Sequence, residues 1–415
     1  MRKYFGVLGV CFFALQLTAQ QKCVSSEYLN KQLANDPSSQ NKIRDIKNYT
    51  QQKTGKIKDE QRIASPSHVI KIPVIFHVLY HLPQENVSQQ KIADALAILN
   101  RDIRRKNADT INTPSFFKPL AADMEIEFKL AISDSRGVST NGVVRKYTPI
   151  KYWLSDDKIK SNATSGDDPW DSKSYLNIWI CNMEDILGYS AFPGLDPKLD
   201  GIVINYKNII ESGSSLKNQG RTFVHEVGHW LNLKHIWGET FCGDDGVDDT
   251  PKQSSYTPGC PSGVRVSCSN NSNGDMYMNY MDFTDDACMN MFSNGQKQRA
   301  RVLFETGGAR NSILTSKGLN DPSIYAAALP DFYPKWLNAQ VYPNPANSLI
   351  NIYFDYDQRW MGKELFISDM MGRQVMKKII NSKIQQIDIS KLQPGIYFLK
   401  AIKDDESLVQ KFIKL

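Results

Sequence analysis

The stretch HEVGHWLNLKH, running from His225 to His235, places two histidines four residues apart. A glutamate directly follows the first, and a third histidine stands six residues after the second. On a helix, positions i and i+4 lie about 40° apart around the axis, so His225 and His229 project the same way. Two neutral imidazoles on one face can hold a divalent zinc ion, with Glu226 placed to take a proton from a metal-polarised water. The helix is expected to end at Asn232. His235, beyond it, returns as a third ligand and leaves a fourth position open, which marks a catalytic rather than a structural zinc. The competing reading is an amphipathic helix with incidental histidines. Against it, the chain has six histidines, and three fall within these eleven residues in this register.

Downstream come WG (Trp237–Gly238), a cysteine-rich insert, NYMD around Met281, and DACMNMFSNGQKQR. Together with the histidine stretch, over residues 68–305, these phrases resemble the pappalysin family of metzincin metallopeptidases, in particular its smaller microbial members. The resemblance implies an α/β (α+β) zinc endopeptidase domain that hydrolyses peptide bonds of proteins, with Met281 in the Met-turn beneath the metal. Two positions depart from the family. Asn232 replaces the usual glycine, a mild change because Asn tolerates left-handed backbone. Phe283 stands where a tyrosine two residues after the methionine often steadies the tetrahedral intermediate. That departure supports a second reading, a weak or inactive scaffold serving as a surface binding or adhesion protein; the complete histidine set and Glu226 argue against it.

Composition fits an exported, multidomain protein. The 415 residues exceed one typical domain, and a net charge of +6 without a basic stripe points away from nucleic acid. Residues 1–19 read as a signal peptide: Arg2 and Lys3, then an apolar run too short to span a membrane. No later segment is apolar enough to cross one. Of seven cysteines, Cys11 leaves with that peptide, and Cys242, Cys260, Cys268 and Cys288 crowd after the histidine motif. Without a CxxC pair they read as disulfides, for which four cysteines allow three connectivities. The resemblance implies Cys242–Cys268 and Cys260–Cys288. Cys181, in the apolar run LNIWIC, is expected to be a buried free thiol.

Residues 20–62 form a polar leader with little to bury. Cys23 within it can fill the open metal position as a thiolate and silence the enzyme, as in proenzymes of similar kind; the alternatives are a lipid anchor, which the preceding Gln-Gln-Lys does not fit, or an idle thiol. Lys56, Lys58 and Arg62 mark a segment where a protease could remove the leader.

The catalytic unit is expected over residues 63–319. Ile70–Tyr80, IEFKLAI, LNIWICNM and DGIVINY read as strands, with His77 and His81 structural. Ile92, Leu96, Leu99 and Ile103 recur at helical spacing, and a closing helix is expected near Asn294–Glu305. Leu187–Gly194 resembles the metzincin edge strand on which an extended peptide pairs. The acidic run GETFCGDDGVDDTP is by itself either a solvated loop or a calcium loop. The resemblance turns it toward calcium, with Asp245 and Thr250 as ligands and Asp248 or Asp249 as neighbours. It also implies arginine preference after the scissile bond, through an aspartate close before the last cysteine. Here Ala287 adjoins Cys288, so the pocket reads arginine if Asp286 reaches it and is broader or apolar if that side chain turns away.

Residues 320–336 read as a linker. Residues 337–415 alternate β-prone runs with turns, the pattern of a small Ig-like β-sandwich. Its phrases resemble the C-terminal sorting domain of type IX secretion, which implies export across a Gram-negative outer membrane to the surface or medium. A carbohydrate-binding sandwich is the competing reading.

Overall fold

The computed structural model describes residues 22–60, 69–210, 219–268, 273–324, 337–356, 362–382, 384–403 and 406–415. The expected signal peptide, Cys11 and Arg62 lie outside them. The leader forms a two-residue strand β1 (Lys22–Cys23), then helices α1 (Ser25–Asn35) and α2 (Ser38–Glu60). These helices were not expected. The leader has no core of its own, but Tyr28, Ile43 and Ile46 pack onto apolar surface of the following unit.

That unit is built on one sheet. Strand β2 (Ile70–Tyr80) is buried along its length except at Lys71, in keeping with its mostly apolar, β-prone sequence. Helix α3 (Gln89–Ile103) follows, its N-terminus capped by Ser88. After the short β3 (Ala121–Ala122) come β4 (Ile126–Leu130), β5 (Val143–Tyr147), β6 (Leu176–Cys181), β7 (Ile186–Ser190) and β8 (Ile202–Asn205). The strand order is β1-β7-β8-β6-β2-β4, with β5 also on β2. Strands β2, β4, β5, β6 and β8 run parallel; β7 is antiparallel to β8 and carries the leader's β1 in parallel on its outer edge.

Each face of the sheet buries a different cluster. Helix α3 and the histidine helix α4 (Arg221–Trp230) cover one face, with Phe223, Val224 and Val227 against Ile178, Ile202 and Ile204. The other face gathers Leu79, Trp179, Cys181, Tyr189 and Val203, together with the leader's Tyr28. His77 is held between Asp167 and Asn177, and His81 bonds the Thr148 carbonyl, so both are structural. The domain closes with β9 (Phe292–Ser293), which pairs with β3, and α5 (Asn294–Arg301), which continues as a 3-10 turn, Val302–Phe304. The linker begins later than residue 320: Ile324 bridges Val138 and accepts from Ser139 N at 2.8 Å, so the chain stays attached to the catalytic unit that far.

The C-terminal segment forms two antiparallel sheets from β10 (Leu337–Tyr342), β11 (Leu349–Tyr356), β12 (Glu364–Asp369), β13 (Gln374–Ile379), β14 (Ile384–Asp388), β15 (Gly395–Lys403) and β16 (Glu406–Lys414). Their orders are β10-β11-β14 and β13-β12-β15-β16. Alternate residues such as Ile350, Ile352, Ile367, Leu399 and Phe412 fill the space between them. Among the described residues no helix is long and apolar enough to cross a membrane.

Candidate metal centre and cleft

Helix α4 carries His225 and His229 on one face. Its end is set by Asn232, which adopts φ +69° as the sharp turn requires, and Arg299 holds the Asn232 carbonyl at 2.7 Å. The chain then returns His235 to the other two. Gly228 is needed on the inner face: a Cβ there would stand 2.3 Å from Met281 Sδ, so the Met-turn packs directly under the helix.

Each imidazole donates its Nδ1–H to a fixed acceptor: His225 to the Tyr280 carbonyl (2.6 Å), His229 to the Leu233 carbonyl (2.9 Å), and His235 to Glu239 (2.5 Å). The three Nε2 lone pairs therefore face one point. His229 Nε2 lies 3.1 Å from that of both His225 and His235, and Cys23 Sγ lies 3.4 Å from it. Ligands at about 2.0–2.3 Å around a tetrahedral zinc stand roughly 3.3–3.6 Å apart, so these four buried residues fit the ion. Burial, reinforced by His235, pushes His225 down to about 3 and His229 well below the usual range, which keeps the rings neutral as ligands. Burial, then the charge of Glu226, pushes the Cys23 thiol up; a divalent cation at this point reverses that preference.

Glu226 follows His225 and is fully buried. Its Oε2 accepts from the leader's Ser25 Oγ at 2.8 Å, and burial raises it to about 7. Gly188 of β7 passes beside it; a Cβ at that position would come 3.3 Å from Glu226 Cγ. Ser25 Oγ also accepts from Ser190 N at 2.9 Å, so one leader hydroxyl engages both the carboxylate and the edge strand. Ser26 donates to Glu239 at 2.6 Å. Neither serine nor Glu239 was singled out from sequence; only Glu239, four residues after His235, left a spacing signal.

Phe283 packs over the centre, its ring 4.7 Å from that of His235 and 5.5 Å from that of His225. Trp237 stacks on His235 at 4.4 Å. Beside His225 a cavity of about 280 Å³ is walled by Leu187, Thr222, Phe283, Met289 and Asp286. Asp286 thus reaches the cavity, because the turn Asp286–Cys288 is 3-10 rather than extended. Its Oδ2 is committed to the N–H groups of Gln219 (2.8 Å) and Arg221 (2.9 Å) at the start of α4.

The bridges Cys242–Cys268 and Cys260–Cys288 are formed, and Cys23 and Cys181 are buried free thiols. In the acidic loop, Thr250 Oγ1 lies 2.9 and 3.0 Å from the two Asp245 oxygens and 2.8 Å from the Val247 carbonyl. Burial raises Asp245 to about 7. These converging oxygens border a hollow of about 240 Å³ that Asp248 also lines, a donor set suited to a hard cation. Asp249 does not join them. Its carboxylate accepts from Ser293 Oγ (2.6 Å) and Gly295 N (2.8 Å), fixing the start of α5.

Residues 157–305 match the pregnancy-associated plasma protein-A family, and residues 340–415 match the secretion system C-terminal sorting domain. The chain is 33% identical over 245 residues to an extracellular metalloprotease of Arthroderma benhamiae, covering 51% of this chain and 82% of that one. Mature mirolysin of Tannerella forsythia, solved with a cleaved peptide, is similar at 45% identity and TM-score 0.58, covering 60% of this chain and 97% of that one. A promirolysin variant from the same organism is similar at 41% identity and TM-score 0.62, covering 71% of this chain and 96% of that one.

Proposed function

The chain belongs to the pregnancy-associated plasma protein-A family of metallopeptidases, and from that premise we propose how this secreted zinc enzyme works and is kept silent. Its sorting domain marks it for type IX secretion to the surface or exterior of a Gram-negative bacterium. We assign His225, His229 and His235 as zinc ligands, Glu226 as general base and acid, and Cys23 as the fourth ligand of a latent form. Residues 20–62 then act as a removable leader, 63 to about 324 as the catalytic domain, and 337–415 as the sorting domain. The convergence of three Nε2 atoms and Cys23 Sγ on one point carries this reading.

Zinc, when bound, supplies the Lewis acid that polarises water and the scissile carbonyl. The chain does the rest. A peptide pairs along the edge of β7, and Glu226 receives a proton from the attacking water and returns it to the leaving amine. Buried beside Gly188, it is held against the strand that orients the peptide. In the latent form Ser25 and Cys23 occupy the positions that base and substrate need. The promirolysin alignment reaches further along this chain than the mature one, 71% against 60%, which favours a shared leader. Asp245 and Thr250 bind calcium in this reading, and Asp286 turns the pocket toward arginine.

Glu226→Ala should retain zinc and lose kcat by on the order of 10²–10⁴. Cys23→Ala should give peptide hydrolysis before leader removal. Metal content and peptidase assays on the leader-cleaved enzyme check the first, and peptidase assays on the intact full-length chain check the second. Turnover surviving Glu226→Ala overturns the base, and continued latency of Cys23→Ala overturns the thiol lock.

A further inference from the structure

The leader fills a second place on the edge strand. Tyr28, five residues after Cys23, is 2% exposed, and its ring lies 4.7 Å from that of Tyr189 on β7. Its hydroxyl donates to Asp157 Oδ1 at 2.9 Å and accepts from Lys160 Nζ at 3.2 Å. Lys160 is paired with Asp157 at 2.8 Å, donates to the Leu199 carbonyl at 2.7 Å, and sits over the rings of Trp179 and Tyr189. The groups that meet the phenol belong to the catalytic unit, and the leader's Gln32 adds a bond from its Nε2 to the other Asp157 oxygen at 2.5 Å. With the leader gone, a cup remains with aromatic walls and an Asp–Lys pair at its base, offering one acceptor and one donor to a hydroxyl.

Where the cup lies matters. Gly188 is on the Glu226 side of β7, while the next residue, Tyr189, belongs to the face that α4 does not cover. A peptide laid along the free edge of β7 sends alternate side chains to the two faces. One set goes toward the metal centre and the other toward Tyr189. The leader already fills both at once, Cys23 on one side and Tyr28 on the other. A buried ion pair is often purely structural, yet this one is arranged around a phenol that departs.

We propose that, after leader removal, the cup formed by Tyr189, Trp179, Asp157 and Lys160 is a subsite that selects a tyrosine side chain of the peptide substrate. The inference rests on the reading of residues 20–62 as a removable leader. A hydroxyl lost from such a site leaves a buried donor and acceptor unmet, which separates Tyr from Phe more sharply than ring burial does.

The test uses the activated enzyme and peptides of one scissile bond in which Tyr, Phe or Ala occupies each flanking position in turn. At one position Tyr should exceed Phe by about tenfold in kcat/KM, carried by KM. The double variant Asp157→Asn/Lys160→Met removes both charges together and leaves neither buried alone. In it the Tyr/Phe ratio should fall toward one. Equal turnover of Tyr, Phe and Ala peptides at every position overturns the subsite, as does a Tyr preference that survives the double variant. A leader-bearing chain already as active as the cleaved enzyme removes latency and with it the premise. An active cleaved enzyme indifferent to tyrosine defeats the subsite alone.

Discussion

At the metal centre, one residue departs from what its surroundings invite. Phe283 presents a ring to both His225 and His235 but no hydroxyl. A donor aimed at a developing oxyanion is worth about 10²–10³ in rate. Phe283→Tyr should therefore raise kcat, by up to about 100-fold, with little change in KM; unchanged kcat in steady-state peptide assays means that this enzyme does not use such a donor. Asp286 is different, since its role is divided. With Oδ2 committed to Gln219 and Arg221, a guanidinium meets a single free oxygen rather than a paired grip. One charge-assisted bond still favours arginine after the scissile bond, by about ten- to hundredfold. Peptide-library cleavage should show that enrichment, and Asp286→Asn should erase it; enrichment indifferent to the substitution removes Asp286 from the pocket's function. The histidines and Glu226 were legible because they fall within eleven residues, three of them on helix α4 and His235 just past its end. Ser25 against Glu226 was not, because 201 residues separate them and a serine in a polar leader carries no pattern.

At the scale of elements, the cysteine-rich insert is tied to the Met-turn by one carboxylate. Asp282 accepts from Gln253 Nε2 (2.9 Å), Thr257 N (2.8 Å) and Phe283 N (2.7 Å), while burial raises it to about 6. Its unfolded value is about 3.9, so the folded chain holds this proton more tightly. The resulting contribution to stability is fully present below about pH 4 and is lost as pH rises through about 6. Asp282→Asn, neutral throughout, should flatten that limb; denaturant midpoints of both proteins between pH 4 and 7 check it, and parallel curves refute it. The sheet was readable from sequence because its strands are continuous β-prone runs and α3 repeats its apolar residues every three or four positions. The leader helices were missed because so few of their residues are apolar. Ile43, Ile46 and Tyr49 do recur three apart, but they bury against another unit: Tyr49 reaches the Thr306 carbonyl and Ile46 packs where a side chain on Gly194 would stand. Such a helix is amphipathic only in the presence of its partner surface. Asp249 misled for a related reason, since an acidic run does not reveal which carboxylate caps a helix 44 residues on.

For the whole molecule, the peptidase and the sorting domain each bury a core of their own, so export and catalysis should separate. Deleting residues 337–415 should leave peptide hydrolysis after activation but strand the enzyme in the periplasm; fractionation that finds it outside at the usual level refutes the sorting role. Both domains were legible from local phrases, whereas the extension of the catalytic unit to Ile324 was not, because it depends on a bridge to Val138. The leader grips the enzyme along its length: Cys23, Ser25 and Tyr28 at the cleft, Ile43 and Ile46 at Gly194, and Tyr49 with Lys53 at Thr306 and Glu305. None of those contacts depends on the peptide link after α2, and the Cys23 thiolate would still hold the metal, so cutting the chain there does not by itself release the leader. The cut exchanges an effective concentration in the millimolar range for that of the surroundings. A severed leader would then remain in place where copies are crowded on a cell surface and drift off in dilute medium, making distance from the producing cell the final step of activation.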